Sequence, residues 1–129
     1  MRRRNVSLKD IFMRYVSAYN AKDVSGMLAC FDEACVFENF SAGKITVRTE
    51  SKAELEALAR KSAEAFDTRE MKVIAVIEGA DRLAAEIDYH AVLRADLAPE
   101  LKAGNQLELR GVSICEFSGD RIVRLSDYS

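Results

Sequence analysis

The stretch Arg14–Phe40, RYVSAYNAKDVSGMLACFDEACVFENF, decides how the rest of the chain is read. With the residues just before it, it carries an apolar stripe at Leu8, Ile11, Phe12, Tyr15, Val16 and Tyr19. That is the i, i+3, i+4 spacing of one buried helix face. Ser7 and Asp10, in S-L-K-D, form a capping-box-like start for this helix. Asn20-Ala21-Lys22-Asp23 breaks it, and Asp23 is placed to cap a second, short helix that buries Val24, Met27, Leu28 and Phe31. From Cys35 the pattern changes to a short, β-rich, aromatic run, CVFENF, the start of a strand. Two helices that lead this directly into a strand form a lid, and the sheet that follows packs beneath them.

Beyond Phe40, Ser41–Lys44 reads as a turn and Ile45–Arg48 as the second arm of a hairpin. Ser51 and Glu54 make another capping box, S-K-A-E. The helix they start buries Leu55, Leu58, Ala59, Ser62 and Phe66 and ends near Asp67. Met71–Glu78 is a β-branched, apolar strand, Gly79-Ala80-Asp81 a turn, and Leu83–Ala95 an alternating strand. Asp96–Asn105, with Pro99 and Gly104, is a long loop with room for one helical turn. Gln106–Phe117 is a long strand, Ser118-Gly119-Asp120 a tight turn, and Arg121–Tyr128 the last strand. Three helices followed by a run of antiparallel strands make an α+β fold.

At 129 residues the chain fits one domain, 1–129, with 49% hydrophobic and 31% charged residues, ordinary values for a globular protein. A formal net charge of -2 argues against a nucleic-acid partner. Arg2-Arg3-Arg4 is the only basic run and reads as a solvated N-terminus; no apolar h-region follows it, so no signal peptide is expected. No apolar run approaches the roughly 20 residues of a membrane span. Cys30, Cys35 and Cys115 are an odd number, in no metal spacing and in apolar surroundings. They read as reduced core thiols of a cytoplasmic protein. His90 is the only histidine, so no His-based metal cluster and no cofactor is expected.

Strand parity predicts which side chains face inward. On the last two strands the odd positions are Leu107, Leu109, Gly111, Ser113, Cys115, Phe117, Val123, Leu125 and Asp127. This face is the more apolar one, and a three-residue turn keeps odd opposite odd. Asp127 is then an acid on an apolar inner face, unless the strand has frayed by that point. Ser113 is the polar residue of its strand's inner face, either a pocket residue or a small core residue bonded to a backbone carbonyl. On Leu83–Ala95, periodicity turns Leu83, Ala85, Ile87, Tyr89, Ala91 and Leu93 inward and Glu86, Asp88, His90, Val92 and Arg94 outward. If the second set faced inward instead, Asp88 and His90 could form an acid–base pair.

RYVxAxNAxDxxGxxAxF with VFEN, and RGVSICEFSGDRIVRLSDYS near the end, resemble the NTF2-like superfamily. The resemblance is closest to its SnoaL-like polyketide cyclase and ketosteroid isomerase branches. It implies a cone-shaped roll: three N-terminal helices on a curved, mostly antiparallel sheet that encloses a pocket for a small apolar or aromatic molecule. It also implies a homodimer paired through the outer sheet face, with Val92, Val112, Ile114 and Tyr128 among its charges. Carried over from ketosteroid isomerase, Tyr15 falls on the oxyanion-hole tyrosine, Asn39 on the aspartate base and Ser113 on the second oxyanion acid. Asn39 has no titratable proton near neutrality, so steroid isomerisation by that route is not expected. SnoaL-like cyclases imply an intramolecular aldol step with an aspartate on a late strand. Asp127 in LSDY takes that place, with Tyr15, Asn39 and His90 as donors. The implied pocket wall is Tyr19, Phe31, Phe37, Asn39, Ser113, Cys115 and Leu125. The expected function is acid–base isomerase or cyclase chemistry on a small carbonyl compound; the alternative is a non-catalytic ligand-binding or dimerisation domain.

Overall fold

The computed structural model describes residues 6–129, so the Arg2-Arg3-Arg4 run lies outside the described residues. Helix α1 spans Leu8–Asn20, and Ser7 Oγ caps it by accepting from the Asp10 amide at 3.1 Å. Its buried face is Leu8, Ile11, Phe12, Tyr15 and Val16, while Tyr19 is only partly buried. Asp23 caps α2 (Val24–Leu28) through the Gly26 amide at 3.0 Å, and Ser51 caps α3 (Lys52–Ala65) through the Glu54 amide at 3.1 Å. Of the residues expected to be buried on α3, Leu55 and Ala59 are, whereas Leu58 and Ser62 are half-buried.

Strands β1 (Phe31–Ser41), β2 (Lys44–Thr49), β3 (Phe66–Glu78), β4 (Arg82–Leu93), β5 (Gln106–Ser118) and β6 (Arg121–Tyr128) form one sheet in the order β2-β1-β6-β5-β4-β3. The β1–β6 pair is parallel; every other pair is antiparallel. The fold is therefore α+β, three helices on a six-stranded, mostly antiparallel sheet.

Three boundaries differ from the sequence reading, each because a strand pairing overrides a helical pattern. Phe31 opens β1 instead of closing α2, because the chain joins β6 there: the Ile122 amide donates to Cys30 O at 2.8 Å. Phe66 opens β3 opposite Leu93 instead of closing α3. The loop after β4 holds an isolated bridge between Ala98 and Leu101 and no helical turn.

The β5–β6 turn is a further correction. Ser118 pairs with Arg121, so only two residues, Gly119 and Asp120, make the turn, with Gly119 at φ 60°. A two-residue turn sets odd against even, and Phe117 accordingly faces Ile122. A bulge between Glu116 and Phe117 then restores odd against odd at Cys115–Leu125 and Ser113–Asp127. Ile122, not Val123, is thus the buried residue at the start of β6. The main core lies between the helices and this half of the sheet, where Phe12, Phe31, Cys35, Leu83, Cys115, Ile122 and Leu125 are almost fully enclosed. Each large apolar side chain buried there contributes roughly 1.5–3 kcal/mol.

Candidate functional site

Past Cys115 and Leu125 the core does not fill the sheet. A cavity of about 140 Å³ opens between the carboxyl end of α1, the middle of β4 and β5, and the end of β6. Gly111 is one reason it exists. It occupies an inward position opposite Ile87, and a Cβ there would meet Tyr128 O at 2.3 Å. The missing side chain leaves room and lets the end of β6 come close to β5.

One wall of the cavity is acidic. Asn39, Asp127 and Ser113 are cross-strand neighbours in a single row, Asn39 opposite Asp127 and Asp127 opposite Ser113. Ser113 Oγ donates to Asp127 Oδ1 at 2.6 Å. Burial pushes the Asp127 carboxyl up to about 6, and the Ser113 hydrogen bond pulls against that shift. The Asn39 amide is turned toward β2 and donates to Thr46 Oγ1 at 2.8 Å.

The facing wall holds two phenols. Tyr19 and Tyr89 share a hydroxyl–hydroxyl hydrogen bond of 2.8 Å, and both line the cavity. Burial raises both above the ordinary phenol range, so they are neutral donors at physiological pH. Tyr19 is fixed because the end of α1 is tied to β3. Asn20 accepts from the Met71 amide at 2.7 Å and donates to Met71 O at 3.0 Å, as a neighbouring strand would. Met71, Ile87 and Leu109 give the cavity its apolar surface.

Arg69 lies behind Tyr19. It is 5% exposed, its guanidinium carbon stands 3.7 Å from the centre of the Tyr19 ring, and it donates to Tyr19 O at 3.1 Å and Ser62 Oγ at 3.2 Å. Its Nη2 has no hydrogen-bond partner, and no carboxylate pairs with it among the described residues. Burying a cation this way costs several kcal/mol. The cation–π contact and the carboxyl end of α1 offset part of that cost.

The remaining sequence candidates fall into two groups. Tyr15, Phe31, Phe37, Cys115 and Leu125 pack in the core beneath the cavity and do not line it. Tyr15 packs edge-on against Phe31 at 5.6 Å, and burial, then the nearby Asp127 charge, raises its phenol well above the ordinary range. His90 is not brought to the cavity. The charged set of β4 lies on the other sheet face, where His90 is 3.2 Å from Asp88 and 3.6 Å from Glu108. Tyr89, Met71 and Arg69 escaped the sequence reading as site residues. Tyr89 was visible only as one member of an apolar face, and Arg69 fell between a helix read too long and a strand read too short. Among the described residues no cluster of His, Cys, Asp or Glu could hold a metal ion.

Residues 12–125 match the family model described as SnoaL-like domain. Solved structures agree in fold. A candidate polyketide cyclase from Xanthomonas campestris pv. campestris is 20% identical with a TM-score of 0.81, the alignment covering 95% of this chain and 89% of that one. A second, from Pseudomonas putida KT2440, is 22% identical with a TM-score of 0.80, covering 97% and 92%. An LEH-like epoxide hydrolase from M. tuberculosis is 15% identical with a TM-score of 0.75, covering 94% and 80%. No curated protein sequence matches the chain.

Proposed function

The chain belongs to the SnoaL-like domain family, and from that premise we propose that it binds a small apolar or aromatic carbonyl compound and moves a proton next to the carbonyl. Asp127 is the base. It takes the proton from the carbon beside the carbonyl; the C–H electron pair forms a C=C bond, and the carbonyl π pair moves onto oxygen. The Tyr19–Tyr89 pair donates to that oxygen, a role that donors in a water-poor cavity perform well. Return of the proton to another carbon gives an isomer; attack of the carbanion on a second carbonyl closes a ring. One observation carries the reading: Asp127 lines an otherwise mostly apolar cavity with Ser113 as its hydrogen-bond donor, and burial there pushes its carboxyl up to about 6, toward the range in which a general base works. Tyr15, close behind, and Asn39 complete the polar surround; His90 has no part in it.

Cavity size narrows the substrate. At about 140 Å³ it matches a space that holds one benzene ring, and it is below the ~300–1,000 Å³ of typical ligand sites. A four-ring steroid is larger than the enclosed space. The test has two steps: a thermal-shift screen of cyclic ketones, β-dicarbonyls and small phenols, then NMR of hydrogen–deuterium exchange beside the carbonyl of the best ligand. Asp127→Asn should slow that exchange by roughly 10²–10⁴-fold. Equal exchange with both proteins would exclude Asp127 as base. Binding with no catalysed exchange would leave the second reading, a ligand-binding domain without chemistry, which the amide at Asn39 favours.

We further propose a homodimer through the outer sheet face. There Phe40 stacks on Tyr128 at 4.7 Å, and Val112, Tyr128 and Ile77 are 40%, 43% and 75% exposed. A single monomeric species in sedimentation at tens of micromolar would reject it. The three cysteines are free and buried, which fits a reducing compartment such as the cytoplasm. No described helix is long and apolar enough to cross a membrane.

A further inference from the structure

Arg69 is a buried cation whose charge no described carboxylate balances, and it stands against the ring of a tyrosine that lines the cavity. We infer that Arg69 is a positioning residue that makes the Tyr19–Tyr89 hydroxyl pair a subsite for an anionic oxygen, an enolate or phenolate, by supplying through Tyr19 the charge that such a ligand needs. The inference rests on the proposed reading of the cavity and adds to it the ionisation state of what the cavity holds.

Three observations support it. First, every other contact of Arg69 holds it in place without neutralising it: Tyr19 O and Ser62 Oγ accept from it, and Nη2 donates to no acceptor. Second, the guanidinium is coupled to the hydroxyl pair. Its charge favours ionisation of Tyr19 and of Tyr89, against the larger effect of burial. A cation that favours negative charge on these oxygens equally favours negative charge on an oxygen bonded to them. Third, the cavity's own acid is on the other wall. While Asp127 is ionised, its charge opposes an anionic ligand. Once Asp127 has taken the substrate proton, it is neutral and the substrate oxygen is negative. That oxygen and Arg69 are then opposite in sign. The proton transfer therefore carries the negative charge from Asp127 to an oxygen on the Tyr19–Tyr89 pair, which Arg69 backs, and so favours the enolate over the starting state.

The test uses phenols as stand-ins for the enolate, with solution pKa values spread from about 6 to 10, around the reference phenol value. Phenolate and phenol differ in ultraviolet absorption, so the ionised fraction of bound ligand is read directly. The host is the Asp127→Asn protein, whose amide imitates the protonated acid. Bound phenols should ionise at least one pH unit below their free pKa. Adding Arg69→Gln should remove that shift, while Arg69→Lys should keep most of it; a purely structural arginine would alter affinity and leave the ionised fraction alone. If Arg69→Gln does not fold, the Arg69-containing host decides by itself, since an unshifted or raised phenol pKa overturns the inference. Phenols that bind, with the same ionised fraction whatever stands at position 69, overturn it and leave the cavity reading intact. Phenols that do not bind at all overturn both.

Discussion

Two carboxylates sit in adjacent rows of the sheet and face opposite ways. Glu38 pairs in register with Ser126; one residue on, Asn39 pairs with Asp127. Glu38, on the outer face, is 2% exposed, and its two oxygens accept from Arg48, from Arg124 at 2.5 Å and from Ser126 at 3.0 Å. Asp127, on the inner face, has the single Ser113 hydrogen bond, and burial pushes its carboxyl up to about 6. The difference separates a carboxylate that holds strands together from one that lines a cavity. The first is saturated with donors and cations; the second is left short of them, and its charged form is costly. Proteins accept that cost where chemistry or binding needs it.

Opposite responses to neutralisation break or sharpen this contrast. Glu38→Gln removes the charge that Arg48 and Arg124 share, and loss of one partner of a buried pair costs about 3–5 kcal/mol. Arg48 and Arg124 are 40% and 41% exposed and can recover water, so the lower end, about 3 kcal/mol, is expected. Asp127→Asn should do the reverse. From the ordinary 3.8 to about 6 the carboxyl moves by about two units, and each unit corresponds to about 1.4 kcal/mol. At pH 7.5 and above, the native state carries a charge it disfavours, and the asparagine should stabilise the protein by roughly 3 kcal/mol. The native state binds the extra proton between pH 4 and 6, so the wild type loses stability as pH rises through that window and the advantage of Asp127→Asn disappears below it. Chemical denaturation at pH 4 and pH 7.5 measures both variants. If Asp127→Asn destabilises at pH 7.5, Asp127 is a structural carboxylate like Glu38 and the contrast fails.

Gly111→Ala tests whether the inner row depends on backbone approach. The added Cβ has 2.3 Å to Tyr128 O, a backbone atom that cannot swing aside. The end of β6 must move, at a cost of about 1–3 kcal/mol for an overpacked site. Asp127 moves with it, so the downward shift in denaturation midpoint should come with weaker Ser113–Asp127 coupling. A Gly111→Ala protein of wild-type stability would mean that β6 is looser than this register describes.

Much of this was readable from side-chain spacing alone. The stripe from Leu8 to Val16 and the caps at Ser7, Asp23 and Ser51 lie where the periodicity places them, because local chemistry decides them. Parity brought Ser113 and Asp127 to one face although the assumed turn was a residue too long; the bulge at Glu116–Phe117 compensates, and no sequence pattern announces a bulge. The donor wall was hidden for another reason. Phe66 continues the helical spacing of α3, so the strand that carries Arg69 was read as starting only at Met71. Tyr89 looks like any aromatic on an apolar face. Its partner, Tyr19, comes from a helix far away in the chain, and pairings of that kind are made by tertiary packing.

The smallest expected effect concerns Ser113. Its hydroxyl donates to Asp127 at 2.6 Å and favours the ionised carboxyl, against burial, which disfavours it. Ser113→Ala removes that donor and adds no bulk, so the Asp127 pKa should rise above about 6, by up to roughly one unit, or about 1.4 kcal/mol. Well below the ordinary 3.8 the carboxyl is protonated in both folded and unfolded chains, and the substitution should be nearly neutral. Above pH 7 the ionised acid has lost its donor, and the protein should be less stable by about 1 kcal/mol, the usual size of one such bond. If Asp127 is the base, the pH at which exchange reaches half its maximum moves up by the same interval, since the base acts only when deprotonated. Carbon-13 titration of the Asp127 carboxyl follows the shift directly. In an Asp127→Asn background, Ser113→Ala should lose its pH dependence. If the pH dependence persists there, some other group near Ser113 titrates, and the acid wall is not the isolated Ser113–Asp127 pair that sets it apart from the saturated Glu38.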